Sequence, residues 1–249
     1  FAFEFAPGVD GGWAVIGQDR DDDTGARVTS LFEIDEEGES RLLVNFTAAQ
    51  VPAYGIEVHP DGYWLVAGLT ELYRVYPSGE MDVVADFYDT DGETALMLAF
   101  DVAVDPISGE ILVVGYYGGA VLLEPETFEK TWVVQPDLSA PTHNMWSAAF
   151  WDTRGGWYAG GQDASGWGVF RLNEADGAWV SKASFDESWS PHKMAIDTVY
   201  GEYFMSAYGG QYPVVWELDA ETGAAPSQFF ASEHSGVSWM DMWDLYVRY

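Results

Sequence analysis

The chain has 249 residues, 41 acids against ten Lys and Arg, a formal net charge of −31 and no cysteine. Such a charge repels nucleic acid and anionic membranes. A 48% hydrophobic and 16% aromatic composition is too apolar for a disordered acidic tail. No apolar run approaches the ~20 residues that span a bilayer. The absence of cysteine removes disulfides, thiolate nucleophiles and zinc–thiolate sites.

Taken in chain order, the predicted elements repeat. A short strand recurs as Gly55-Ile56-Glu57-Val58-His59-Pro60, Asp101-Val102-Ala103-Val104-Asp105-Pro106, Ser147–Asp152 and Lys193–Thr198, and starts again at Trp239-Met240-Asp241-Met242-Trp243-Asp244. The central positions 57, 103, 149, 195 and 241 are each 46 apart. An earlier copy, Phe3-Glu4-Phe5-Ala6-Pro7, aligns Glu4 with Glu57 at a step of 53. The extra length is expected in the acidic stretch Asp19–Gly25.

Each first strand is followed, across a Gly-containing turn, by a second: Trp13–Gly17, Tyr63–Gly68, Glu110–Gly115, Gly156–Gly161 and Glu202–Ala207. Third strands are read at Leu31–Asp35, Leu72–Val75, Val169–Asn173 and Val215–Asp219. Gly38, Gly79, Gly177 and Gly223 mark the next turns. Fourth strands are read at Leu42–Phe46, Val83–Phe87, Trp132–Gln135, Trp179–Phe185 and Gln228–Ala231. Helical periodicity is absent, and the strands favour β-branched and aromatic residues.

Four short antiparallel strands per ~46 residues is the blade of a β-propeller. The fold class expected is all-β, with five complete repeats and the start of a sixth, hence five or six blades. One domain over residues 1–249 is expected, cut short at one or both ends. Segments such as Gly55–Gly68 with Leu72–Tyr76, and Phe100–Gly119, resemble NHL, YVTN and gluconolactonase-like propeller repeats. The resemblance runs over nearly the whole chain and concerns repeat architecture, not activity.

Two sets of residues are candidates for chemistry. Asp241, Glu4 and Glu57 fall on the last, first and second inner strands, sequential across the point of ring closure. Facing inward, they would form an oxygen-ligand site for a hard cation such as Ca²⁺. The competing reading pairs them with backbone amides or water. Tyr54, Phe100, Trp146 and His192, 46 apart at the starts of inner strands, are the candidate ligand-binding rim. Aromatic faces beside acids suit sugars and cationic groups; the competing reading is packing between blades. Resemblance to gluconolactonases implies a channel metal held by acids and an asparagine. No asparagine occupies the rim series, and Asn144 is two residues out of register.

No nucleophile elbow or phosphate-binding glycine motif is present. The expected function is therefore a non-enzymatic propeller, secreted, periplasmic or on the cell surface, acting as a protein- or glycan-binding or scaffolding module. The partners expected are a protein or a glycan, with no nucleic acid and no membrane insertion. The alternatives are a divalent-metal-dependent channel hydrolase or lactonase, and a structural subunit of an extracellular assembly. Calcium is the one cofactor considered.

Overall fold

The computed structural model describes residues 2–20, 27–46, 53–88, 97–135, 144–150, 156–164, 166–173, 175–184, 189–197, 202–209, 212–219 and 227–231. Among them lie twenty strands in five four-stranded antiparallel sheets. The first sheet is β1 (Ala2–Pro7), β2 (Trp13–Arg20), β3 (Arg27–Ile34) and β4 (Ser40–Asn45). The second is β5 (Ala53–His59), β6 (Tyr63–Gly68), β7 (Glu71–Val75) and β8 (Met81–Asp86). The third is β9 (Ala99–Val104), β10 (Ile111–Gly115), β11 (Ala120–Leu123) and β12 (Lys130–Val134). The fourth is β13 (Asn144–Phe150), β14 (Trp157–Asp163), β15 (Gly166–Asn173) and β16 (Ala178–Ser184). The fifth is β17 (Trp189–Asp197), β18 (Glu202–Gly209), β19 (Tyr212–Asp219) and β20 (Ser227–Ala231).

Within every sheet the strands run in sequence order. Short turns dictate this, because an antiparallel hairpin needs only a few residues to reverse. The expected strands all appear, and β11 adds a third strand to the third repeat. The sixth repeat, from Trp239 onward, lies outside the described residues.

The chain divides into two compact units, Phe1–Val113 with Leu123–Lys130, and Val114–Leu122 with Thr131–Tyr249. In the first, β1, β5 and β9 touch in succession; in the second, β13 touches β17. First strands are thus the inner strands of their blades. The last strands β4 and β8 face water, each with three exposed residues at its start. The second strands β6 and β10 are buried on both faces. Face-to-face blades require this, and it explains the near-continuous apolar runs Tyr63–Gly68 and Ile111–Gly115.

In the first unit one core joins two blades: Ile16 and Leu31 of the first pack with Ile56, Trp64, Val66 and Tyr73 of the second. Trp64 is fully buried, and its indole N–H donates to the Pro7 carbonyl at 2.9 Å. Burying so large a ring is worth several kcal/mol, about 3–5 on truncation to alanine. The hydrogen bond fixes which way the ring lies.

Pairing corrects the alignment of the first repeat. Gly17 pairs with Ala2 and Gly68 with Ala53, so the structural step is 51, not 53. Glu4 opposite Ile16 therefore matches Gly55 opposite Ala67, while Ala6 matches Glu57. The insertion is where the acidic stretch predicts it: β2 and β3 continue pairing out to Arg20 opposite Arg27. A shorter link from β4 to β5 offsets part of that gain.

Candidate functional site

Four of the inner strands, β1, β5, β13 and β17, share a defect. The register with the second strand shifts between Ala2 and Glu4, Ala53 and Gly55, Met145 and Ser147, and Pro191 and Lys193. One extra residue is inserted each time: Phe3, Tyr54, Trp146 and His192. A β-bulge re-aims the inserted side chain and adds local twist. The predicted rim positions Tyr54, Trp146 and His192 are thus bulge residues, and Phe3 joins their series. Sequence spacing found the series; only pairing showed why it is distinct.

In the first unit Tyr54 is half-buried and its ring meets that of buried Phe100, with centroids 5.2 Å apart and planes at 52°. This pair is packing between consecutive inner strands. In the second unit Trp146 is half-buried and meets Tyr116 edge-on at 5.4 Å. Tyr117 follows, its ring 6.1 Å from Tyr116 and its backbone at φ 64°. Left-handed backbone at a bulky residue is costly and has to be held by its surroundings. Gly118 supplies one hold, its carbonyl accepting the Trp179 indole N–H at 3.0 Å. Tyr116 and Tyr117 were missed in the sequence because they sit on the β10–β11 turn, outside the 46-residue series. The side chain of His192 lies outside the described residues.

Three polar side chains near the starts of inner strands are buried, and two of them join neighbouring blades. Glu4 is 4% exposed, Asp101 1% and Ser147 1%. Asp101 packs its carboxylate over Gly55, where an added Cβ would lie 2.7 Å from both Cα and Oδ1 of Asp101. Ser147 Oγ accepts the Met194 N–H at 2.8 Å, linking β13 to β17. Asp101 Oδ1 also accepts the Val102 N–H at 2.9 Å, and Glu57 Oε1 accepts the Val58 N–H at 2.9 Å. Glu4 and Glu57 occupy different register positions, the first buried and the second half-buried. Asp241 lies outside the described residues. Among the described residues no group of three His, Asp or Glu is placed to hold a metal ion.

A second cluster lies in the first unit. Arg74 makes two hydrogen bonds to Asp82, at 3.0 and 2.6 Å. Its guanidinium sits over Tyr63, Tyr76 and Phe128 at 5.6, 5.2 and 5.4 Å from their centroids. His59 stacks flat on Tyr63 at 4.4 Å, with Nε2 3.1 Å from the Gly109 carbonyl. Burial, reinforced by the negative charge of Asp61, pushes the Tyr63 hydroxyl up to about 12, although Arg74 opposes the shift. The cage is filled by the protein's own arginine, so it acts as a clamp.

No protein-family model matches the chain, and no curated protein matches it. Solved structures do. A chain from the crystal structure of a nidogen/laminin complex aligns with TM-score 0.63 at 10% identity, over 90% of this chain and 76% of that one. A gluconolactonase from Xanthomonas campestris aligns with TM-score 0.61 at 14% identity, over 90% of this chain and 81% of that one. A putative 6-phosphogluconolactonase from Bacteroides uniformis aligns with TM-score 0.56 at 10% identity, over 91% and 83%. At such identities the likeness concerns fold alone. The repeated four-stranded antiparallel sheets and these neighbours together give the chain the fold of a β-propeller.

Proposed function

We propose that the chain is a non-enzymatic binding module, secreted or displayed at a cell surface, that engages a protein or glycan through aromatic residues on its inner-strand bulges. The observation that supports this most is the recurrence of Tyr54 and Trp146 at one bulge position in two blades, each half-buried. Large, rigid, amphipathic rings give contact area at low entropic cost. A chain at −31 favours neutral or basic partners over acidic ones. One neighbour comes from a complex between proteins, and a propeller surface is suited to that use.

The intact chain should be offered to arrays of glycans and purified extracellular proteins, beside Tyr54→Ala and Trp146→Ala variants. A ligand whose retention falls at least tenfold in either variant supports the reading. Undiminished binding by both variants would exclude the bulge residues. The gluconolactonase neighbours make lactone hydrolysis the competing activity. Turnover of gluconolactone that needs an added divalent cation would overturn the non-enzymatic reading.

A further inference from the structure

One row of residues crosses from the third repeat into the fourth blade, wholly within the second unit. Tyr116, at the end of β10, forms an isolated antiparallel bridge to Asn144 at the start of β13. Asn144 pairs with Gln162 on β14, and Gln162 pairs with Trp167 on β15. Directly opposed residues in antiparallel pairs put their side chains on one face. With strands ~4.8 Å apart, the row is about 15 Å long. It reads ring, amide, amide, ring. Tyr116, Gln162 and Trp167 are half-buried, and Asn144 is 8% exposed. Trp146 widens the ring at one end through its edge contact with Tyr116. Asp163, beside Gln162, is half-buried and pairs with Gly166 at the hairpin end.

We propose that this row binds a neutral oligosaccharide, which rests on the binding-module reading above and assigns its ligand class. A sugar has flat C–H faces and a perimeter of hydroxyls that both donate and accept. Rings at the two ends supply surfaces for the faces. Half-buried Gln162 carries a donor and an acceptor, the combination that hydroxyls need, and Asn144, 8% exposed, backs it in the row. An extended, repeating ligand suits a linear row better than a compact metabolite does. The net charge of −31 disfavours anionic sugars. The left-handed Tyr117, anchored next to Gly118, fixes the turn that carries Tyr116 and removes part of the ordering cost of binding.

Isothermal titration calorimetry of the intact chain with cello-, malto-, xylo- and mannohexaose, and with oligogalacturonate as the anionic control, tests this. At least one neutral series is expected to bind and the anionic control not to. Trp167→Ala and Gln162→Leu should each raise Kd tenfold or more, while Leu42→Ala, at an exposed position of the outer strand β4, should leave it unchanged. Gln162→Leu keeps the volume and loses the amide, so it carries the test if Trp167→Ala does not fold. Absence of binding by every neutral sugar, or binding insensitive to Gln162→Leu, overturns the proposal. A protein ligand whose capture falls in Tyr54→Ala, with no sugar bound, would overturn the glycan row and leave the binding module standing. Failure of both would remove both.

Discussion

Tyr63 shows how one residue serves packing and charge at once. It is 4% exposed, stacked on His59 and covered by Arg74. Its hydroxyl titrates near 12 in the folded chain because burial, then the charge of Asp61, disfavours the phenolate. In the unfolded chain the hydroxyl titrates near ~10. The folded state therefore holds its proton more tightly, and this contribution is complete below pH 10. It is lost as pH rises from there through 12. Urea unfolding followed between those values should show stability falling with pH, and Tyr63→Phe should flatten that slope. An unchanged slope in the variant would assign the loss to other tyrosines. Asp61 stands two residues away in the sequence, but the burial that dominates the shift is not legible there, because it comes from packing against His59 and the neighbouring strands.

At the level of the element, the hairpin turns and bulges divide the work. Gly38 and Gly177 both end third strands with positive φ, 86° and 65°. An added Cβ at Gly38 meets nothing, whereas at Gly177 it would overlap the Val133 carbonyl oxygen of the preceding sheet. Gly38→Ala should cost about 1–2 kcal/mol, the price of left-handed backbone alone. Gly177→Ala should cost more, since backbone rather than a flexible side chain must move. Chemical denaturation midpoints of the two variants measure the difference; equal midpoints would refute the contact. Four of these turns were legible because glycine follows the third strand; the turn after β11 has none, and Phe128 takes the positive φ there, 55°. Bulges were not legible, since an inserted residue is visible only against its pairing partner. Glu4 likewise aligned with Glu57 by residue type, whereas its pairing matches it to Gly55. Outer strands carry matching shifts, between Leu31 and Phe32 and between Leu72 and Tyr73. Irregular, charged edges resist pairing with other chains.

For the whole molecule, net charge decides more than individual ion pairs do. Arg41–Glu33, Arg74–Asp82 and Lys130–Asp86 are partly exposed pairs, each worth at most about 1 kcal/mol. They are outnumbered, because 41 acids face ten Lys and Arg. Self-repulsion should therefore dominate the response to salt. Raising sodium chloride from 0.1 to 1 M shortens the screening length from ~10 to ~3 Å. Tm should rise by several degrees, at about 2–4 °C for each kcal/mol in a chain of this size. A fall in Tm on calorimetry would show that the ion pairs outweigh the repulsion.

The sequence alone determined the repeat, the four-stranded blade and the composition of its strands, because blade turns and burial recur at a fixed interval along the chain. It also located the aromatic positions Tyr54, Phe100, Trp146 and His192. Tertiary structure decided what those positions are. Three are bulges, the Tyr54 ring meets that of Phe100, and Trp146 joins a turn that the repeat does not encode. The row from Tyr116 to Trp167 is likewise a product of pairing. Its members are separated by 28, 18 and five residues and become neighbours only when backbone hydrogen bonds set them side by side.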